Sequence, residues 1–237
     1  MGARVVGRVS ALWRYPVKSM AGQMLDEVDV TWQGLVGDRR WAFVRTDQVR
    51  SGFPWFTIRQ QAQMMHLVAS FTDPDHPDSS DVTVTDPAGD VFDVTDPALA
   101  ARFGPAVRVI KMDRGAFDWT PLSLISVQTV EAIASMAGVS PDVRRFRPNL
   151  LIDAPGEPAF CEDSWAGSTI SIGGIRMRVD ERDNRCMVVN IDPDSLQSTP
   201  AVLRKVASER QMCLGVYGST ELRGRVALGD EVTVDEP

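Results

Sequence analysis

The most informative stretch of the 237-residue chain is Arg185-Cys186-Met187-Val188-Val189-Asn190-Ile191-Asp192-Pro193. The charged run 180–184 before it has the composition of a polar loop. Residues 187–191 are largely apolar and β-branched, which predicts a short buried strand, and the Asp192-Pro193 pair is typical of the turn that ends one. Cys186 is therefore expected at the point where a polar loop enters a strand, with a guanidinium beside it.

Cys186 has two interpretations. A neighbouring guanidinium favours the thiolate, and a thiolate is both a nucleophile and a soft metal ligand. The alternative is a half-buried cysteine that packs as a small hydrophobe. The other cysteines, Cys161 and Cys213, are interpreted as structural, because three widely spaced cysteines form neither a disulfide framework nor a C-x-x-C pair.

Short β-rich segments lie on both sides of this stretch and predict the fold. Residues 5–13, 107–112, 122–126 and 150–152 have the composition of strands, and Gly173-Gly174 indicates a hairpin. Helices are predicted at 97–103, at 199–209 and after an N-capping Ser126, the last ending near Gly138. Many short strands with few helices predict a mostly β (α+β), barrel-like architecture with a few peripheral helices, and not a doubly wound sheet.

Composition and charge narrow the classes of partner. The formal net charge of -7 argues against binding to nucleic acid or to an anionic membrane surface. No apolar run approaches the roughly 20 residues of a spanning helix, and the N-terminal residues lack the apolar core of a signal peptide. Together with the unpaired cysteines, this predicts a reducing, cytoplasmic location with no membrane or nucleic-acid partner.

Basic residues concentrate in the turns of this acidic chain. Guanidinium groups bind phosphate bidentately and keep their charge, so these turns would form an anion pocket if they converge. The alternative is a set of solvated surface charges, and the spacing does not decide between them. The residues in question are Arg14, Lys18, Arg39, Arg40, Arg59, Arg144, Arg145, Arg147 and Arg185.

Several other kinds of site lack a sequence signature. His66 and His76 have no zinc-site spacing, and no nucleophile elbow supports a Ser-His-Asp site. The glycines form neither a dinucleotide fingerprint nor a P-loop. The acidic run 180–183 is interpreted as a solvated loop in preference to a calcium site.

Several segments in the right order resemble the MOSC family, named for the C-terminal domain of molybdenum-cofactor sulfurase. The resemblance extends over nearly the whole chain and implies an N-terminal MOSC β-barrel domain over 1–110 and a MOSC domain over 111–237. The segments are Tyr15-Pro16-Val17-Lys18-Ser19, Gly37-Asp38-Arg39-Arg40-Trp41, Arg145-Phe146-Arg147-Pro148-Asn149-Leu150, Glu162-Asp163-Ser164-Trp165, Arg185-Cys186, Asp192-Pro193, Gly215-Val216-Tyr217-Gly218 and Gly229-Asp230-Glu231-Val232.

The resemblance implies a molybdenum cofactor, Mo-molybdopterin, whose metal is bound by Cys186 as the catalytic residue. A cofactor with a phosphate and a polar pterin needs hydrogen-bond donors, which gives the scattered basic turns a purpose. The family also carries a label of pyridoxal phosphate binding, which rests on the label alone. The positions that match cofactor-binding residues are Lys18, Ser19, Arg39, Arg59, Thr129, Arg147, Asn149, Asn184 and Arg185.

The chain is most similar to the branch of amidoxime-reducing components, which implies reduction of N-hydroxylated compounds: amidoximes, hydroxylamines and N-hydroxylated bases. The chain shows no ferredoxin-like extension, so electrons are expected from a separate ferredoxin- or cytochrome b5-like protein. Two positions depart from the family. Asp183 stands where relatives often have a cysteine, and Asn184 where they often have a serine.

Three other functions remain open. The first is a carrier that binds the cofactor without turnover, and the second is a sulfur relay through a persulfide on Cys186. The third is a β-barrel binding module without a cofactor.

Overall fold

Strands make up most of the regular structure in residues 3–48 and 51–235, the part of the chain that the computed structural model describes. The strands in this part, numbered in chain order, are β1 Ala3–Arg14, β2 Gln23–Leu25, β3 Glu27–Thr31, β4 Gly34–Leu35, β5 Trp41–Arg45, β6 Trp55–Phe56, β7 Val68–Phe71, β8 Val82–Thr85, β9 Val91–Asp93, β10 Val107–Lys111, β11 Leu122–Ser126, β12 Leu150–Asp153, β13 Thr169–Ile172, β14 Ile175–Asn184, β15 Cys213–Leu222, β16 Gly224–Ala227 and β17 Glu231–Asp235. The α-helices are α1 Pro97–Ala101, α2 Val127–Ala137 and α3 Ala201–Arg210.

The chain forms two compact units that are not consecutive in sequence. Of the described residues, the first unit contains 3–13, 24–36 and 119–235, and the second contains 14–23, 37–48 and 51–118. The N-terminal strand β1 therefore belongs with the C-terminal half of the chain. The predicted domain boundary between residues 110 and 111 stays a prediction.

A closed barrel of seven strands forms the first unit. The strands follow the order β12, β11, β15, β14, β13, β17 and β1, and β1 closes the barrel by pairing with β12. Neighbouring strands are antiparallel except for the parallel pair β11 and β12. Closure removes the exposed edges that an open sheet would present.

The interior of the barrel is apolar because alternate residues of each strand point inward. In β13, the fully buried Ile170 and Ile172 alternate with the half-buried Thr169 and Ser171. Burying each such side chain contributes about 1.5–3 kcal/mol before the entropy cost of ordering it. The barrel core therefore supplies a rigid frame on which the ends of the strands are held.

Close approach of two strands requires glycine at one position of β1. A Cβ on Gly7 would lie 2.3 Å from the carbonyl oxygen of Asp153, inside contact distance. The register of β1 shifts beside this residue, between Val5 and Gly7, as at a β-bulge.

Two helices pack on one another beside the barrel strands of the first unit. Helix α2 begins at the N-cap Ser126 and ends at Gly138, whose φ of 67° lies in the left-handed region that favours glycine. Ile133 of α2 and Val206 of α3 are fully buried in one apolar cluster. The predicted cap, helix and stop are confirmed.

The second unit is built from small sheets around an aromatic cluster. Strands β10, β5 and β6 form one three-stranded sheet, and β7, β8 and β9 form another. The ring of Phe103 lies 4.7 Å from that of Phe43, edge to face, and 5.5 Å from that of Phe56. Aromatic pairs at such distances add to the burial of each ring.

The predicted mostly β, barrel-like architecture is confirmed, whereas two local predictions beside Cys186 are wrong. Residues 180–184 are not a loop but the last half of β14, paired with β15 through Glu181 and Tyr217, Arg182 and Val216, and Asn184 and Cys213. A cross-strand hydrogen bond engages one of the acidic groups that suggested a loop, because Ser219 Oγ donates to Asp180 Oδ2 at 2.5 Å.

The apolar run after Cys186 is a single 3-10 turn, Met187–Asn190, and not a buried strand. Val189 is buried against the α2 and α3 cluster, while Met187 is 45% exposed. The Asn190 side chain accepts a hydrogen bond from the backbone nitrogen of Leu203 at 2.8 Å, which ties the turn to α3. Packing against helices thus overrides the β propensity of the valines.

Candidate functional site

Cys186 lies just beyond the end of β14, with extended backbone at φ −123° and ψ −175°. Its thiol is half-buried. The backbone nitrogen of Arg185 donates to the carbonyl of Met212 at 2.7 Å, and the carbonyl of Cys186 accepts from Val189 at 3.3 Å. The main chain is therefore fixed on both sides of a thiol that solvent can still reach.

The side chain of Arg185 is buried, with 8% of its surface exposed. Nε donates to the carbonyl of Leu214 at 2.7 Å, and Nη1 donates to the carbonyl of Phe146 at 2.8 Å. Nη1 also lies 2.8 Å from a carboxylate oxygen of Asp183, whose side chain is 3% exposed. Nη2 is buried and has no hydrogen-bond partner within residues 3–48 and 51–235. Arg185 thus links three segments of the first unit, and its Nη2 is a buried donor that no acceptor in the described residues uses.

Glycine at position 215 makes room for this arginine. The residue has a φ of 74°, and a Cβ there would lie 2.7 Å from the carbonyl oxygen of Leu124 and 3.3 Å from Arg185 Nη2. A larger residue would be strained by its backbone and would press on the guanidinium.

A buried carboxylate organises the start of α2. Glu162 is fully buried and accepts hydrogen bonds from the hydroxyls of Ser126 at 3.0 Å and Thr129 at 2.9 Å. Thr129 Oγ1 also accepts from the backbone nitrogen of Phe160 at 2.7 Å. The carboxylate lies at the helix N-terminus, where the helix dipole favours negative charge. Thr129 therefore has its hydroxyl engaged within the protein, and its predicted contact with a cofactor stays a prediction.

Asn149 is also engaged within the barrel. It is 1% exposed, its Nδ2 donates to the carbonyl of Trp13 at 3.1 Å, and its Oδ1 accepts from the Ser123 hydroxyl at 3.1 Å. The side chain therefore ties the beginnings of β11 and β12 to β1. Arg147, two residues earlier, is half-buried. Asn184, in contrast, is exposed at the end of β14.

In the second unit, Lys18 is the most enclosed of the predicted cofactor-binding cations. Its side chain is 8% exposed, and Nζ donates to Asp118 Oδ1 at 2.5 Å and to the carbonyl of Ala116 at 2.7 Å. Arg59 Nη2 lies 3.7 Å from the other oxygen of Asp118. Two predicted cations of this unit thus meet on one carboxylate.

Arg39 is held by an aromatic ring and a buried acid. Its guanidinium lies 4.5 Å from the centre of the Tyr15 ring and forms an ion pair with Asp38, whose side chain is fully buried. The backbone nitrogen of Tyr15 donates to the same carboxylate at 2.7 Å. These contacts fix the direction of the Arg39 side chain.

Left-handed backbone conformation marks three of the predicted binding residues. Ser19, Arg39 and Arg147 have φ values of 74°, 51° and 51°. Within residues 3–48 and 51–235, only seven non-glycine residues have positive φ. Such residues cost about 1–3 kcal/mol each and cluster at functional sites. This observation is independent of the sequence resemblance that selected the three residues.

The other cysteines lie in less reactive surroundings. Burial, followed by the nearby charge of Glu162, raises the pKa of the Cys161 thiol to about 12. Burial also raises the pKa of the Cys213 thiol, against the opposing effect of Arg182. Neither environment favours a thiolate, in line with their interpretation as structural cysteines.

Sequence reasoning missed the carboxylates that organise these residues. Asp118 was not predicted, because the 100 positions that separate it from Lys18 leave no local pattern. Glu162 entered only as part of a family segment, and the burial of Asp183 was hidden by its charged neighbours. Asking which carboxylate neutralises each predicted buried cation would have prompted a search for these acidic residues.

None of the helices in the described part of the chain has the length and apolar character needed to cross a membrane.

Comparison with known proteins gives the family. The crystal structure of the YUAD protein from Bacillus subtilis superposes with a TM-score of 0.54 at 16% identity, over 98% of each chain, which supports the fold. Mitochondrial amidoxime-reducing component 1 of Mus musculus is 23% identical, covering 96% of this chain and 82% of that protein. Molybdenum cofactor sulfurase of Danio rerio is 36% identical over 77 residues, covering 32% of this chain and 9% of that protein.

Models of two protein domains match the chain itself. The MOSC N-terminal beta barrel domain matches residues 6–118, and the MOSC domain matches residues 112–233. The second match alone covers about half of the chain, and it contains the barrel strands β11 to β15, the first residues of β17 and the half-buried Cys186. With the barrel, the order of the motifs and both domain matches in agreement, the chain belongs to the MOSC family.

Proposed function

We propose that this protein is a molybdenum-cofactor-dependent oxidoreductase that reduces N-hydroxylated compounds with electrons from a separate protein. The observation that carries the proposal is the position of Cys186, a half-buried thiol on a fixed backbone at the end of a barrel strand of the MOSC domain. The names of the Mus musculus and Bos taurus amidoxime-reducing components, each 23% identical over 96% of this chain, supply the class of reaction.

The residues of the chain fit such a cofactor. In the first unit, the Cys186 thiolate would bind the metal, and the buried Nη2 of Arg185 offers a donor that no acceptor in the described residues uses. Arg147 presents a guanidinium from a left-handed position. In the second unit, the cationic groups of Lys18, Arg39 and Arg59 suit an anionic phosphate. We include Ser19, Thr129, Asn149 and Asn184 in the proposed binding set.

In the proposed reaction the cofactor and the protein have separate roles. When bound, the molybdenum centre supplies the redox couple that reduction of an N–O bond requires. The chain contributes the thiolate ligand, fixes its direction through the backbone bonds of Arg185 and Val189, and balances the negative charge of the cofactor with its basic side chains. We further propose a ferredoxin- or cytochrome b5-like electron donor and a cytoplasmic location.

The experiment is expression in a host that makes the molybdenum cofactor, followed by measurement of molybdenum per chain and of hydroxylamine or benzamidoxime reduction by dithionite-reduced protein. The proposal expects bound molybdenum and turnover in the wild type, and neither in Cys186→Ser. Cys213→Ser, the matched control in the same unit, should keep both. Protein that takes up no molybdenum and does not reduce these substrates would overturn the proposal.

Two other outcomes assign a different function. Tight molybdenum binding without reduction of any N-hydroxylated substrate would show a carrier. A sulfane-sulfur adduct on Cys186, found by mass spectrometry of the intact protein in the absence of molybdenum, would show a sulfur relay.

A further inference from the structure

Two cations and one carboxylate form a compact group within the second unit. Lys18 Nζ donates to Asp118 Oδ1 at 2.5 Å, and Arg59 Nη2 lies 3.7 Å from Asp118 Oδ2. The lysine side chain is 8% exposed, that of the arginine 31% and that of the aspartate 42%. The carboxylate therefore lies on the outer side of an enclosed lysine.

Aromatic rings enclose the two cations. The Phe53 ring centre lies 4.9 Å from the Arg59 guanidinium and 5.8 Å from Lys18 Nζ, and the Trp55 ring centre lies 5.9 Å from Lys18 Nζ. Rings attract cations through their electron-rich faces and keep water away from them. Positive charge in such surroundings attracts an anion more strongly than it would in open solvent.

Neighbouring cations stabilise the ionised form of the Asp118 carboxyl, as they would stabilise a bound anion. Partial burial alone would raise the pKa of its carboxyl, but Lys18, by its charge and hydrogen bond, and then Arg59 and Arg39 hold that pKa below its usual value. The group therefore stays ionised at neutral pH. It carries a single negative charge, whereas a phosphate monoester carries between about −1.5 and −2 at pH 7.

The position of Asp118 allows it to leave. It follows β10 in an irregular segment, residues 112–118, and nearly half of its side chain surface is exposed. A phosphate that replaces the carboxylate puts one anion in place of another, so the exchange leaves the enclosed Lys18 paired at every stage that matters for binding. Lys18 keeps its second bond, to the carbonyl of Ala116, when the carboxylate moves away.

We propose that Asp118 is an internal stand-in for the phosphate of the ligand: its carboxylate occupies an anion site made by Lys18 and Arg59, and a phosphate monoester binds there by displacing it. The identification of that phosphate with the one on the cofactor rests on the proposed function. Asp118 thus sets the affinity of the site and prevents weaker, singly charged anions from occupying it.

The test is a titration of the cofactor-free chain with phenyl phosphate, followed by calorimetry or by amide NMR shifts. Asp118→Asn should bind the probe at least about fivefold more tightly than the wild type, the low end of coupling between competing ligands. Asp113→Asn removes the same charge from an exposed residue of the same segment and should bind as the wild type does. In the Asp118→Asn background, Arg59→Gln should remove the gain.

Equal or weaker binding by Asp118→Asn would overturn the inference, because the carboxylate would then be part of the site or of the fold. Absence of saturable binding in both proteins would overturn it as well, since the released cations would have no affinity for phosphate. If Asp113→Asn tightened phenyl phosphate binding as much as Asp118→Asn does, the inference would also be overturned, because the change in net charge alone would explain the tighter binding. A gain that survives Arg59→Gln would place the anion elsewhere.

A second arm separates this inference from the proposed function. The same variants are expressed in a host that makes the molybdenum cofactor, and molybdenum and released pterin are measured per chain. Tighter phenyl phosphate binding by Asp118→Asn with no molybdenum in any variant would reject the proposed function. Asp118 would then occupy an anion site that binds a different phosphate monoester. Molybdenum in the wild type, with no tightening by Asp118→Asn, would reject the role of Asp118 alone.

Discussion

Asp183 and Arg185, the residues on either side of Asn184, form a buried ion pair. A carboxylate oxygen of Asp183 lies 2.8 Å from Arg185 Nη1, and the two side chains are 3% and 8% exposed. The same guanidinium donates to the carbonyls of Leu214 and Phe146. The position of Cys186 thus depends on a charge pair that stabilises the fold only while both members are present.

Replacing Arg185 with leucine should lower the free energy of unfolding by about 3–5 kcal/mol, because the Asp183 carboxylate is left buried without its cation. Urea denaturation measures this. Arg178→Leu in the preceding strand β14, with 62% of its side chain exposed, should change the value by less than about 0.5 kcal/mol. Adding Asp183→Asn to Arg185→Leu should recover part of the loss. If it recovers nothing, the buried charge is not the cause.

Cys186→Ser should separate metal binding from folding. The thiol is half-buried, so the substitution should change the free energy of unfolding by no more than about 1 kcal/mol, while bound molybdenum is lost. Thermal unfolding of the cofactor-free protein and metal analysis of the loaded protein give the two values. Full metal content in Cys186→Ser would show that another group binds the molybdenum.

Thr129→Val tests whether Thr129 acts on the fold. The hydroxyl donates to Glu162 and accepts from the backbone nitrogen of Phe160, so its removal leaves buried groups without partners and should cost about 1–3 kcal/mol of unfolding free energy. Thr129→Ser keeps the hydroxyl and should restore most of that stability. Unchanged stability in Thr129→Val, with less bound molybdenum, would instead favour direct contact with the cofactor.

The sequence predicted features that local chemistry determines. Ser126 and Gly138, the two ends of α2, were predicted because a cap and a left-handed stop depend on single residues. The turn after Cys186 was not, because its conformation depends on the burial of Val189 against helices that come before and after it in the chain. Predicting the site was similarly limited: resemblance selected Lys18 and Arg59, but the carboxylate between them comes from the far end of the second unit.

The three thiols should differ in their rate of alkylation by iodoacetamide. The raised pKa of Cys161, about 12, keeps its thiol protonated as the pH rises from 7 to 9, with about one molecule in ten thousand ionised at pH 8. Cys186 should react first in the native protein and Cys161 last, as read by mass spectrometry of peptides. In urea all three should react at similar rates. Fast native labelling of Cys161 would contradict the burial described for it.

Arg147→Gly should raise stability and lower cofactor retention together. Arg147 has a φ of 51°, a conformation that costs a non-glycine residue about 1–3 kcal/mol, and glycine adopts it without that strain. Allowing for the greater freedom of glycine in the unfolded chain, the free energy of unfolding should rise by about 1 kcal/mol. Loss of a charge-assisted hydrogen bond to the cofactor should weaken its retention by about 1.5–3 kcal/mol.

The comparison that decides the role of Arg147 is Gln211→Gly, which relieves a left-handed φ of 56° at the C-cap of α3. Gln211 is outside the predicted binding set, and its side chain accepts an exposed hydrogen bond from Arg182 Nη1 at 3.2 Å. Both variants should become more stable in urea denaturation, but only Arg147→Gly should lose molybdenum on dialysis. A fall in stability for Arg147→Gly alone would mean that its side chain supports the fold, and equal retention of molybdenum would remove Arg147 from the binding set. A higher free energy of unfolding combined with weaker cofactor retention is expected only of a residue whose strained backbone is maintained for binding. Loss of a structural contact would instead lower both the free energy of unfolding and the retention of the cofactor.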